Sequence, residues 1–246
     1  MGPQIIAMGG IPDEPDSLLL EKYVLEATGK KQPKITLLPT ASGDSQESID
    51  RFYDRFGKLD AVPSHLSLFR LTVSDRRDLL LKQDAIYVGG GSTHNMLVLW
   101  RDWGLVSILK EAWRNGIVLC GVSAGSICWF EQGVTDSLIP DRLVPLRGLG
   151  FLEGSNCPHY DSEPLRRPTC HDLLKRGFLK AGYAADDGVG LHFVGHRLHR
   201  VVSSRPEAKG YRLETKSGVV IETKLETDFL NGEAHGRPKG HGSSNS

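Results

Sequence analysis

Nothing in the sequence approaches the run of about 18 consecutive apolar residues that a membrane-crossing helix requires. Met1 to Met8 also lack a basic stretch leading into a longer apolar one, the mark of an export signal. These absences predict a soluble, cytoplasmic protein with no membrane partner. Neither sign of charge is in excess, because 30 basic residues balance 30 acidic ones. With no overall field to gather phosphates, nucleic acid is not an expected partner and a small molecule is. Cysteine is scarce: Cys120, Cys128, Cys157 and Cys170 show no C-x-x-C spacing, which points to reduced thiols rather than a disulfide framework. No internal repeat is present.

What the chain does have is an alternation of short apolar runs with amphipathic stretches. Its 246 residues, 39% of them hydrophobic, suffice for one full core. Residues 4–8, 34–38, 85–88 and 117–121 read as buried strands, each followed by glycine or another turn former. Residues 65–69 alternate and read as a further strand. Helices are expected over 15–27, 46–56, 74–82 and from 96 to about 115. The clearest is 46–56, where Ile49, Phe52, Tyr53 and Phe56 fall at i, i+3, i+4 and i+7. Such alternation predicts an α/β fold with a mostly parallel sheet covered on both faces. Beyond residue 130 the pattern is less regular. Residues 131–154 read as strands or loops, 171–180 as a helix, 183–194 and 198–203 as strands, and 211–224 as a hairpin turning at Ser217-Gly218. One domain is expected over 1–230, with a Gly-, His- and Ser-rich tail over 231–246 expected to be disordered.

The chemistry concentrates around residues 118–127, where an apolar run enters Gly121-x-Ser123-x-Gly125 and continues into a second apolar run. A serine flanked by glycines two positions away suits a sharp strand-to-helix turn that exposes its hydroxyl. Free N–H groups of a helix starting near Ala124 would then face a developing oxyanion. The competing reading is a tight turn with a helix-capping serine. Upstream, Gly89-Gly-Gly-Ser-Thr-His-Asn95 follows a strand directly, and its bare N–H groups could also bind an oxyanion. Successive strands can bring both loops to one sheet edge, where open α/β sheets bind ligands. A serine needs a base and a group that orients it. His159, in a Cys-Pro-His-Tyr corner, is the leading candidate, with His192, His196 and His199 as alternatives. For the orienting carboxylate Asp136, Asp161, Asp186 and Asp187 are all admissible, and periodicity does not choose among them.

Taken together, Gly89-Gly-Gly-Ser92, Gly121-Val-Ser-Ala-Gly-Ser126, Pro158-His159-Tyr160 and Asp186-Asp187-Gly188 resemble the peptidase E family, the aspartyl dipeptidases related to cyanophycinases, over roughly residues 5–203. The resemblance implies a three-layer sandwich of the class I glutamine amidotransferase type, with serine in place of the amidotransferase cysteine, no metal or cofactor, and a short peptide with N-terminal aspartate as substrate. It makes Ser123 the nucleophile, His159 the base and Asp187 the third member. The family's carboxylate lies in a Pro-Glu-Gly type turn, which Asp187-Gly188 matches with a shorter side chain. Asp136 stands second for that place, or for the substrate's amino group. Gly90 or Gly91 together with Ala124 would form the oxyanion hole, and Arg166 or Arg167 would hold the substrate carboxylate. Ser92-Thr93 stands where the family often has asparagine. Monomer and homodimer are equally compatible. Three rival readings share these residues: a cyanophycinase-like β-aspartyl peptidase, an α/β-hydrolase esterase pairing Asp187 with His192, His196 or His199, and a catalytically silent binding module.

Overall fold

The structure, a computed structural model, describes residues 2–12, 17–71 and 73–231. In chain order its elements are β1 (Gln4–Met8), α1 (Leu19–Ala27), β2 (Lys34–Leu38), α2 (Gln46–Phe56), β3 (Val62–His65), α3 (Arg76–Leu81), β4 (Ala85–Val88), α4 (Thr93–Asp102), α5 (Leu105–Arg114), β5 (Val118–Val122) and α6 (Ala124–Ile127). There follow β6 (Phe130–Ile139), β7 (Arg142–Arg147), β8 (Leu152–Cys157), α7 (Arg166–Lys175), β9 (Gly182–Ala185), β10 (Val189–Val194), β11 (Arg197–Ser203), β12 (Gly210–Lys216), β13 (Val219–Lys224) and β14 (Asp228–Phe229).

The main sheet has eight strands in the order β14-β11-β10-β1-β5-β4-β2-β3. From β1 to β3 across this order every pairing is parallel. β1, β4 and β5 are buried at every position, which is why they read as unbroken apolar runs rather than alternating ones. Successive side chains of a strand point to opposite faces. Ile6 and Met8 accordingly join a core layer with Val24 of α1 and with Phe52 and Phe56 of α2. Ile5 and Ala7 join the opposite layer, with Trp100 of α4 and Trp113 of α5. The result is the helix–sheet–helix sandwich the alternation predicts. β10 then pairs antiparallel with β1, Met8 facing Gly190, so the chain just before β10 lies at the carboxyl end of β1.

A second sheet, β13-β12-β9-β8-β6-β7, takes up the region where the pattern was irregular. Its strands carry many polar residues because the sheet mixes parallel and antiparallel pairs and leaves part of its surface exposed. Between it and α7 lies a third apolar cluster that includes Val134, Cys157, Tyr160 and Leu213.

Several boundaries differ from expectation. Residues 183–194, expected as strand throughout, divide into β9 and β10, which belong to different sheets, and the strand expected over 117–121 is β5, Val118–Val122. The strand expected over 65–69 is β3, Val62–His65; residues beyond it leave the sheet, and Leu66 and Leu68 bury themselves from a loop whose Leu68 and Phe69 N–H groups bond to Asp44 Oδ2. Pro63 fits because β3 is an edge strand. The long helix from 96 divides into α4 and α5 at Gly104, whose φ of 70° a glycine adopts without strain. The helix expected over 171–180 runs from Arg166 to Lys175, with Pro168 in its first turn and Gly177 (φ 74°) beyond its end. The hairpin at 211–224 is present as β12 and β13. The first positions of the helix expected over 15–27, and all but residue 231 of the expected tail, lie outside the described residues. None of the helices described is long and apolar enough to cross a membrane.

Candidate active site

β5 ends at Val122 and the next residue, Ser123, has φ 56° and ψ −114°. Such a backbone costs a non-glycine residue on the order of 1–3 kcal/mol and persists only where its surroundings over-determine it. Here the two flanking glycines do so. A Cβ on Gly121 would lie 2.4 Å from Gly125 O, and one on Gly125 would lie 2.2 Å from Val88 O, so the crossing closes only without side chains. The Ser123 N–H reaches Met8 O at 3.3 Å, tying the turn to the end of β1. The Ser123 side chain makes no capping hydrogen bond to α6. The capping alternative therefore does not describe it. α6 is a single turn of four residues, so what it offers an oxyanion is the N–H of Ala124, which has no preceding turn to bond to, more than a macrodipole.

The Gly89–Ser92 loop closes over the same serine. A Cβ on Gly90 would fall 3.3 Å from Ser123 Cβ and 3.7 Å from Ser123 Oγ. Gly91 has φ 129°, and a Cβ there would meet Ala41 O at 2.3 Å. The N–H groups of Gly89 and Ser92 bond to Leu38 O and Ala41 O, whereas among the described residues those of Gly90 and Gly91 have no protein acceptor. Ser92, which stands where the family often has asparagine, accepts from Asn95 N–H and caps α4.

The imidazole arrives from the second sheet. β8 and β9 run parallel with Cys157 beside Ala184, so the chain leaving β8 passes the chain leaving β9 at the same edge. His159 Nδ1 lies 2.8 Å from Asp187 Oδ1. Asp187 also bridges to Gly10, past the end of β1. A Cβ on Gly10 would lie 1.9 Å from Asp187 Oδ1 and 2.7 Å from His159 Nδ1. Gly10 is thus the wall against which the pair rests, a role hidden in a sequence that shows only a Gly-Gly turn; the signal available was its likeness to the glycines ending β4. Burial opposes the charge of Asp187, but hydrogen bonds from His159 and Ser162 and the charges of His159 and Arg205 outweigh it, holding the carboxyl below the usual carboxylate range. Asp161 supports the arrangement: its Oδ1 accepts the Asp187 N–H at 2.8 Å and its Oδ2 accepts Arg205 Nη1 at 2.8 Å. A carboxylate accepting from Nδ1–H leaves Nε2 as the nitrogen available to a reacting proton.

The other candidates are placed elsewhere or otherwise occupied. Asp186 turns inward, its Oδ2 accepting from Lys209 N–H at 2.9 Å and Tyr211 Oη at 3.2 Å, and burial raises its pKa. Asp136 is exposed on β6, next to Thr135, whose hydroxyl lies 3.5 Å from that of Thr93 at the start of α4, whereas the His159 ring bonds Asp187. His192 lies along β10 opposite Ile6, between Tyr23 Oη (2.8 Å) and Gln4 Oε1 (3.0 Å), and burial lowers its pKa to about 4. His199 packs on His192, and His196 on Trp113. Arg166 is buried, with Nε on Glu163 (2.6 Å) and Nη1 on Val134 O (2.7 Å). Arg167 bonds Glu222 Oε1 at 2.6 Å. All four cysteines are free and buried. Among the described residues no group of three or more His, Cys, Asp and Glu side chains is arranged to hold a metal ion.

The crystal structure of a peptidase from an acI-B1 Actinobacterium superposes on this fold with a TM-score of 0.66 at 19% identity, covering 92% of this chain and 95% of the other. That likeness defines the fold class, an α/β sandwich. A model of peptidase family S51 matches residues 5–201. The chain belongs to peptidase family S51, and it is a peptidase by that membership. It is 55% identical over 229 residues to the Uncharacterized peptidase YgaJ of Bacillus subtilis (strain 168), across 92% of this chain and 99% of that one. It is 24% identical over 196 residues to Peptidase E of Haemophilus influenzae, across 74% of this chain and 86% of the relative.

Proposed function

We propose that the protein is a serine peptidase that hydrolyses short peptides through an acyl-enzyme on Ser123. The observation that carries this reading is the His159–Asp187 hydrogen bond of 2.8 Å resting against Gly10, at the strand end to which the Ser123 turn is tied. Ser123 Oγ attacks the scissile carbonyl carbon while His159 Nε2 takes its proton. The oxyanion so formed accepts from the N–H groups of Ala124 and of Gly90 or Gly91. Its collapse breaks the C–N bond, and the departing amine takes the proton back from Nε2. A water then repeats the sequence in the amine's place and frees the acid. Asp187 holds the Nδ1–H tautomer and stabilises the imidazolium between these steps.

The preferred substrate under this reading is a dipeptide with N-terminal aspartate. The family resemblance of the site motifs supports it. Arg166 would meet the substrate carboxylate through its Nη2 edge, since Nε and Nη1 already serve Glu163 and Val134. Asp136 would attract the substrate's amino group. The test is hydrolysis of Asp-Leu, Leu-Leu, β-aspartyl-arginine and p-nitrophenyl acetate by the intact protein and by Ser123→Ala. Aspartyl cleavage lost by about 10⁴-fold or more in the variant is the expected result. Equal activity of the two proteins on every substrate would remove Ser123 as nucleophile. Leu-Leu cleaved as fast as Asp-Leu, both dependent on Ser123, would strike out the aspartyl preference and leave the acyl-enzyme standing.

A further inference from the structure

His159 and Asp187 each have a buried chain neighbour, Tyr160 and Asp186, and Tyr211 in the apolar layer beneath the second sheet links the two. Tyr160, next to His159, is 2% exposed, and its hydroxyl donates to Glu222 Oε2 at 2.6 Å. His171 Nε2 completes that corner, 3.1 Å from Tyr160 Oη and 2.9 Å from Glu222 Oε2. Asp186, next to Asp187, is held through its Oδ2 by Tyr211 Oη. The Tyr160 and Tyr211 rings lie 5.1 Å apart. One guanidinium covers both: Arg167 Cζ is 4.4 Å from the Tyr160 ring centre and 4.9 Å from that of Tyr211. The same guanidinium bonds Glu222 of β13 through Nη1.

We infer that the Arg167–Glu222 ion pair is a positioning device for the His159–Asp187 pair, acting through Tyr160 and Tyr211. This rests on the reading of that pair as base and orienting carboxylate. Two observations favour positioning over mere stability. His159 sits at φ 54°, a conformation that a histidine keeps only when neighbouring contacts impose it. Backbone holds the segment through Tyr160 N–H to Ala185 O and Glu163 N–H to His159 O, both at 3.1 Å, and the buried Tyr160 ring adds a side-chain restraint next to the imidazole. In addition, the Arg167 side chain is 41% exposed and that of Glu222 18%. A partly exposed pair contributes little to global stability. Yet this one bridges α7 and β13, touches Tyr160 beside His159, and reaches Asp186 beside Asp187 through Tyr211. Cation and rings are matched as well, because a planar guanidinium can stack on two aromatic faces and keep an edge for a carboxylate, which a lysine ammonium cannot do. Burial and the Glu222 carboxylate raise the Tyr160 pKa, so its hydroxyl remains a donor to that carboxylate.

The test uses the full chain with Arg167→Met, which keeps bulk and removes the charge, and Glu222→Gln, which keeps shape. Two readings are taken on folded protein: steady-state kinetics on the best substrate of the panel, and the ¹⁵N signals of the His159 ring at alkaline pH, assigned by their loss in His159→Gln. The expected result is a single Nδ1–H tautomer in the intact protein and averaged tautomers in both variants. With it, kcat falls by about 10- to 100-fold while KM stays within about threefold, the cost of a base held about 1 Å out of place. Arg167→Lys should recover less than the full rate. Unchanged tautomer signals and kcat in both variants would overturn the inference. So would a rise in KM at constant kcat, which would make Arg167 a substrate contact instead. An intact protein that cleaves none of the peptides would defeat the proposed function alone, since the tautomer signals still decide whether the ion pair positions the imidazole.

Discussion

The two sheets hold their parts of the site by different means. At the edge of the parallel sheet the geometry is set by backbone: Ser123, Gly90 and Gly91 are placed by close crossings that admit no side chain, with forbidden approaches of 2.2–2.4 Å at Gly125, Gly91 and Gly121. At the edge of the second sheet the geometry is set by side chains: His159, Asp187, Asp161 and Arg205 form a chain of hydrogen bonds and ion pairs. A backbone-set group is rigid at the expense of tolerating almost no substitution. A side-chain-set group is tunable and can be weakened one bond at a time. The pairing fits the chemistry proposed, in which the nucleophile and oxyanion donors must stay still while the imidazole carries a proton in both directions.

The sharpest way to break this comparison is at the carboxylate. Asp187→Asn should fold normally, because the amide fills the same space, yet lose about 10³–10⁴ in kcat by favouring the wrong imidazole tautomer. Asp186→Asn, one position away and turned inward, should cost less than tenfold. Similar losses from both variants would show that the second sheet is not selecting one aspartate. The next largest effect is expected where the two regions touch. Gly10→Ala places a methyl group 1.9 Å from Asp187 Oδ1, and the hydrogen bond to His159 must open. A fall of about 10²-fold in kcat is expected, with KM little changed. A Gly10→Ala enzyme of near-normal rate would separate the backbone wall from the side-chain pair. The smallest effect concerns His192, where β10 joins the parallel sheet. Its folded pKa of about 4 lies below the ordinary 6.5, so the neutral ring is favoured by folding. Its stabilising contribution is therefore complete above about 6.5 and is lost progressively as pH falls toward 4. Thermal unfolding across that window should show a decline that His192→Gln flattens, with no matching change in kcat.

The legibility of the chain follows the same division. β1, β2, β4 and α2 stand at the boundaries their apolar runs and helical spacing predict, because each is a local pattern read against one buried face. The elbow was legible for a similar reason: glycine at fixed offsets from Ser123 is a local requirement of a tight crossing. The strand expected over 65–69 misled because alternation records burial, and Leu66 and Leu68 are buried from a loop. Past residue 130 the mixed pairing and half-exposed strands blur the period, so the second sheet could not be read as one.

By itself the sequence determined a parallel sheet with a strained serine and glycine-rich loops at its carboxyl edge, since residues near one another in the chain impose those features. Only the tertiary structure decided which of four aspartates meets the imidazole, that Gly10 is their wall, and that Arg166 and Arg167 have protein partners. Asp186 and Asp187 are indistinguishable as residue types. Their opposite directions arise from the pairing of β9 with β8 and of β10 with β1, contacts between distant segments whose register no local pattern encodes.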